Sequence, residues 1–107
     1  MSVIKISDYN SASNTSNNEW TTLQYGSSIS LSASNGTRQK LTLAGNTTIT
    51  APTLSSTNTE LVLQIAKTSQ YSFTIDGVTV PASETTLLSW YWDGSSTRRM
   101  PNIYLGD

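Results

Sequence analysis

Apolar and polar residues alternate with a period of two in one run after another of this sequence, and no run shows an apolar period of 3.6. Thr, Val, Ile and aromatic residues hold the alternating positions, as they do in half-buried strands. The first such run is Val3 to Ile6. The Asn/Ser-rich stretch 10–18 that follows has too little apolar content to pack, which marks it as a flexible loop or arm. WTTLQY and SISLSAS come next, and in the second Ile29, Leu31 and Ala33 point one way while the serines between them point the other. Asn35-Gly36 offers the left-handed residues of a tight hairpin into Arg38 to Leu43. A Thr-rich run from Thr47 is halted by Pro52, which has no N–H for a central ladder. Leu61, Leu63 and Ile65 share a face with Val62 and Ala66 behind them, so this run is expected at the centre of a sheet. Asp76-Gly77, between YSFTI and VTV, is the clearest hairpin signal. TTLLSWYW ends at Asp93-Gly94, and one last short strand is expected beyond it with Ile103 and Leu105 inward.

Together these runs predict a single β domain over residues 1–107: an all-β, antiparallel β-sandwich or jelly-roll-like fold of about eight to ten short strands. Its core is expected to include Leu31, Leu41, Leu43, Leu61, Leu63, Ile65, Phe73, Ile75, Leu88 and Trp90.

Composition narrows the function classes. Only 12% of residues are charged, about half of the roughly 25% usual for a soluble domain, and Ser, Thr and Asn supply about two-fifths of the chain. A net charge of −1 with six scattered basic residues forms no polybasic patch, so nucleic acid is not an expected partner. No stretch approaches the about 18 apolar residues of a membrane span, so no membrane partner is expected either. Cys is absent, which removes disulfides, thiolate nucleophiles and sulfur-ligated metals.

His is absent as well, so neither a Ser-His-Asp nor a Cys-His arrangement can form. Paired carboxylates for glycoside hydrolysis would have to come from Glu60, Asp76, Glu84 and Asp93. Asp76 and Asp93 each precede a turn Gly, a role that accounts for them, and the two Glu sit at expected strand starts. A Ser-Lys pair around Lys67 and Ser69 reads as an exposed loop. No phosphate-cradling Gly loop or other cofactor motif is present, and the chain reads as a non-enzyme without a cofactor. A carbohydrate-binding surface is the stronger rival, with Trp90, Tyr91 and Trp92 as its platform. Alternation, however, sends Trp90 and Trp92 to the Leu88 face and Tyr91 to the other, which favours core or subunit interface over a sugar platform. Trp20 stands between the same readings, and Arg98 and Arg99 suit either a solvated turn or an interface that pairs them with carboxylates. The candidate interface or glycan-contact residues are therefore Trp20, Tyr91, Trp92, Arg98 and Arg99.

Two stretches taken together resemble small β-structured virion proteins of tailed bacteriophages. In LTLAGNTTITAP, Gly45, Asn46, Thr47, Thr48 and Ile49 match a Gly-Asn turn and Thr-rich strand. In TTLLSWYWDGSSTRRM, Leu88, Trp90, Tyr91, Trp92, Asp93 and Gly94 match a later aromatic strand ending in Asp-Gly. The resemblance covers about the C-terminal two-thirds and implies a virion component: a capsid decoration (cement) protein, or a tail-fibre or baseplate β domain. A chain starting at Met1 with room only for the β domain and a short arm is similar to the decoration proteins. That implies a homotrimer on the capsid exterior, made in the host cytoplasm, whose partners are its own copies and the major capsid protein or another virion component. A host surface glycan becomes a partner only under the tail-type alternative.

Overall fold

In the computed structural model, residues 19–107 are described, and the expected opening strand Val3 to Ile6 and arm 10–18 lie outside them. The fold is built outward from the most apolar run, Glu60–Ile65, a strand whose Leu61, Leu63 and Ile65 are fully buried. Among the described residues it is one of ten strands: β1 Thr21–Thr22, β2 Ser28–Ser30, β3 Arg38–Leu41, β4 Thr47–Thr50, β5 Glu60–Ile65, β6 Ser72–Ile75, β7 Val78–Pro81, β8 Thr86–Trp92, β9 Thr97–Arg99 and β10 Ile103–Tyr104. They form two sheets, the first in the order β1-β3-β5-β8-β10 with β9 also on β8, the second β2-β4-β6-β7. The all-β expectation holds, and β5 is central in the first sheet.

The expected antiparallel pairing holds only for part of the fold. β1–β3, β3–β5, β2–β4 and β4–β6 are parallel; β5–β8, β8–β9, β8–β10 and β6–β7 are antiparallel. From β1 to β6 successive strands change sheet at every step, so the chain winds as a two-sheeted coil and like strands of successive turns stack in parallel. The physical reason for the difference is that an alternation of two specifies which side chains are buried and is silent on the direction of the neighbouring strand.

Asn35-Gly36 illustrates the same correction. No hairpin forms there, because β2 and β3 belong to different sheets. Ala33–Asn35 instead make a 3-10 turn capped by the Ser32 side chain, and Gly36 (φ 112°) redirects the chain across the domain. Asp76-Gly77 does form the expected two-residue hairpin, with φ of 54° and 78° in the left-handed region that matches strand twist.

Stacked turns put like residues over like. Ile29, Ile49 and Ile75 align across β2, β4 and β6, and Leu41 aligns with Ile65 across β3 and β5. All ten core residues expected from the pattern are buried, in one cluster with Ala33, Ile49, Leu54 and Ala82. Hydroxyls pin the connections: Thr47 Oγ1 donates to the Gly26 carbonyl at 2.6 Å, and Thr97 Oγ1 accepts from Leu54 N at 2.9 Å. Ile103 and Leu105 correct a further expectation, being about half exposed. Ile103 lies opposite Leu87 on the outer side of the first sheet, at its edge, where none of the described residues covers it fully.

Candidate functional site

Parity about the buried residues divides the candidate residues between two surfaces. Gln39, Leu61, Leu63, Leu88 and Trp90 are buried, so Arg38, Lys40, Glu60, Val62, Leu87 and Tyr91 occupy the outer face of the first sheet. Register places Glu60, Tyr91 and Arg98 in one row across this face, and Lys40, Gln64, Leu87 and Ile103 in another. Trp20, immediately before β1, lies over it with the Arg38 guanidinium 5.7 Å and the Lys40 ammonium 5.9 Å from its ring centroid, within cation–π range. A cleft of about 240 Å³ opens here between Trp20, Thr37, Arg38, Glu60, Val62 and Leu87. Trp20, Tyr91 and Arg98 thus share the outer face.

Trp92 and Arg99 do not join them. Trp92 is half-buried against the core beside fully enclosed Trp90. Arg99, opposite Trp90, turns inward and lies 3.0 Å from Asp76 Oδ2 at the β6–β7 turn, while its terminal nitrogens donate to the Met100 carbonyl and, at 2.8 Å, to Asn102 Oδ1. It ties the edges of the two sheets together. Three aromatics in a row therefore do not build a platform; Trp20 and Tyr91, 71 positions apart in sequence, share a face because β8 pairs with β5 and β3 with β5.

Asp93 organises the β8–β9 turn. Its carboxylate accepts from the backbone N–H groups of Ser95 and Ser96, both at 2.8 Å, and from Arg98 Nε at 2.6 Å. The Arg98 hydrogen bond foremost, then the two N–H groups, hold its pKa far below the ordinary 3.8. A depressed carboxylate stabilises the fold above its unfolded pKa, and that contribution is lost as pH falls through the folded value. Asp107, which accepts from the Thr85 hydroxyl and N–H, is shifted the same way. Lowering the pH from 4 to 2 is therefore expected to lower the urea midpoint, and Asp93→Asn should flatten that slope. A variant as acid-sensitive as the parent would show that the turn contributes nothing.

The remaining carboxylates stand apart. Asp76 meets Arg99, Glu84 accepts from the Gly106 N–H, and Glu60 borders the Trp20 cleft. Among the described residues no group of three or more acidic side chains could hold a metal ion. The motif residues have structural roles: a Cβ on Gly45 would lie 2.6 Å from the Tyr25 hydroxyl, which donates to the Asn46 carbonyl, and Asn46 Oδ1 accepts from Ser72 N.

What the pattern missed is an apolar rim. Met100, Ile103, Tyr104 and Leu105, within six residues, are each about half exposed, and Val78 is 59% exposed. No family model, curated protein or solved structure matches the chain.

Proposed function

We propose that this chain is a structural protein of a tailed-phage virion: a non-enzymatic homotrimer that decorates the outside of the capsid and stabilises the head shell. The observation that carries the associative part of this reading is the rim at β9 and β10. Four large apolar side chains stand half-exposed within six residues, whereas elsewhere among the described residues Val78 and Tyr91 are the large apolar side chains exposed to this degree. Exposed apolar groups concentrated in this way suit a protein–protein contact. The resemblance of Gly45 to Ile49 and Leu88 to Gly94 supplies the particle. Contact with the major capsid protein or another virion component, without nucleic acid or membrane, follows from the same reading. Light scattering should report about three times the 11.6 kDa chain mass, and particles lacking the protein should release DNA at lower temperature than complete ones. Unchanged capsid stability together with lost adsorption to host cells would refute the decoration role.

A tail-fibre or baseplate receptor-binding module is the second reading, and the Trp20 cleft favours it. An indole flanked by Arg38, Lys40 and Glu60 offers a stacking surface with hydrogen-bonding groups at its margin, the pairing of chemistries that holds a sugar ring. Under that reading Trp20→Ala abolishes binding to a host-glycan array while the oligomer mass is retained.

A further inference from the structure

The two sheets differ in strand count, and the difference leaves a cleft. In the first, β9 and β10 lie together along the edge of β8, while the second ends at its fourth strand, β7. Arg99, opposite buried Trp90, and Tyr104, opposite buried Thr86, therefore overhang the edge of β7 on the inward side. Facing them, Val78 and Val80 share the inward side of their β6 partners Ile75 and Phe73. Among the described residues no strand lies beyond β7, so Val78 is 59% exposed although Ile75 is 2% exposed. The cleft between has a volume of about 370 Å³, with Val78 and Val80 as its apolar wall and Asp76, Arg99, Asn102 and Tyr104 as its polar wall.

The polar wall is a connected chain with bonding capacity left over. Arg99 Nη2 donates to Asn102 Oδ1 at 2.8 Å, and Asn102 Nδ2 donates to the Tyr104 hydroxyl at 3.0 Å. Since Arg can only donate, it fixes the amide with its nitrogen toward Tyr104. The Tyr104 O–H and the second Asn102 N–H meet no acceptor among the described residues. At the other end Asp76 Oδ2 lies 3.0 Å from Arg99 Nε, which is enclosed yet makes no hydrogen bond with it. Charge thus places the Asp76 carboxylate, and its lone pairs stay open to a ligand. We propose that this cleft binds a neutral saccharide of one or two pyranose units. The C–H face of the ring packs on Val78 and Val80, while neighbouring hydroxyls donate to Asp76 and accept from Asn102 and Tyr104. A hydroxyl both donates and accepts, so a polyol satisfies both ends of this wall. A purely apolar ligand would strip water from the carboxylate and give nothing back. An acidic sugar would meet Asp76 with like charge, because the Arg99 terminal nitrogens are committed to Met100 and Asn102. The volume sits at the low end of the roughly 300–1,000 Å³ of small-molecule sites. This site is separate from the Trp20 cleft on the outer face, and it does not depend on where a virion would carry the protein.

The test is titration of the full-length protein with a panel of neutral methyl glycosides and disaccharides, followed by backbone amide NMR shifts. At least one member should shift the Gly77, Val78 and Tyr104 amides saturably, while glycerol and methyl glucuronide leave them in place. Tyr104→Phe removes one hydroxyl from a half-exposed position and should weaken binding about tenfold, the order expected of one hydrogen bond. Asp76→Asn keeps a residue suited to the left-handed turn and should weaken it at least as much. Trp20→Ala should bind as the parent does. Saturation by no neutral sugar overturns the proposal, as do equal shifts with glycerol or glucuronide. Binding that survives Tyr104→Phe but is lost in Trp20→Ala moves the sugar to the outer face and also overturns it. None of these readouts depends on oligomer mass or capsid stability, so failure here leaves the virion reading standing.

Discussion

Leu63→Ala is expected to cost about 2–5 kcal/mol, a large part of the roughly 5–15 kcal/mol that holds a domain of this size together. Leu63 is 0% exposed at the middle of β5, flanked in register by buried Gln39 on β3 and Leu88 on β8. The loss combines the transfer energy of the missing carbons with a void that neighbours fixed on both sides cannot close. Val62→Ala, one position along the same strand, removes two carbons from the half-buried outer side and should cost under about 1 kcal/mol. Urea titration of both variants checks the claim. Equal midpoint shifts would show that the inward and outward faces of β5 have been misassigned.

The same contrast explains how much of the fold was legible in the sequence. Inward faces were readable residue by residue because burial follows side-chain parity, which is a local property: Leu61, Leu63, Ile65, Phe73, Ile75, Leu88 and Trp90 all lie where alternation puts them. The Asp76-Gly77 hairpin was readable because its geometry is contained within four residues. Strand direction was not, since it depends on whether a connection returns to the same sheet or crosses to the other. Asn35-Gly36 has hairpin chemistry, yet the chain crosses there because β3 finds its partner in β5, more than twenty residues further on. Ile103 and Leu105 failed for a related reason. Their spacing is that of one face, but register sets Ile103 opposite outward Leu87 and Tyr104 opposite buried Thr86, so that face is the solvent side of the sheet, and nothing in a short window reports which side of an edge strand meets the core.

The candidate contact residues divide along the same line. Trp90 and Trp92 fell on the expected side, with Trp92 only half-enclosed, whereas the meeting of Trp20 with Arg38, Lys40 and Glu60 is set by β1–β3–β5 stacking and has no local signature. Arg98 and Arg99 are neighbours in sequence with opposite fates: one closes its own turn through Asp93, the other bridges to Asp76 on the second sheet. Mutating them together would therefore merge two effects. Separate Arg98→Ala and Arg99→Ala variants should distinguish turn stability from the closure of the sheet edges.

Gln39→Glu is expected to be the most damaging single-atom exchange in the chain, and one that acid repairs. Gln39 is 0% exposed, and its amide nitrogen donates at 2.8 Å to both the Ser32 and the Gly36 carbonyls. It thereby clasps the two ends of the 3-10 turn that carries the chain from one sheet to the other. Its Oε1 is buried without a partner, so the amide group is held for its donors. A carboxylate there has no donor and faces two carbonyl oxygens in a site closed to water, a situation that costs about 3–5 kcal/mol when a buried charge has no compensation. Burial raises the folded pKa of such a group above its unfolded value of about 4.3. Between those two values the native state keeps a proton that the unfolded chain has released, so stability falls as pH rises through the window. Lowering the pH from 8 to 5 should therefore raise the urea midpoint of Gln39→Glu, because the protonated acid regains one of the two donors. Over the same range the carboxylates at Asp93 and Asp107, whose pKa values lie below 3.8, remain ionised in the parent. Gln39→Met, which loses the donors without adding charge, should be destabilised by a smaller amount that does not change with pH. If Gln39→Glu is as stable as the parent at pH 8, the clasp does not hold the crossing in place.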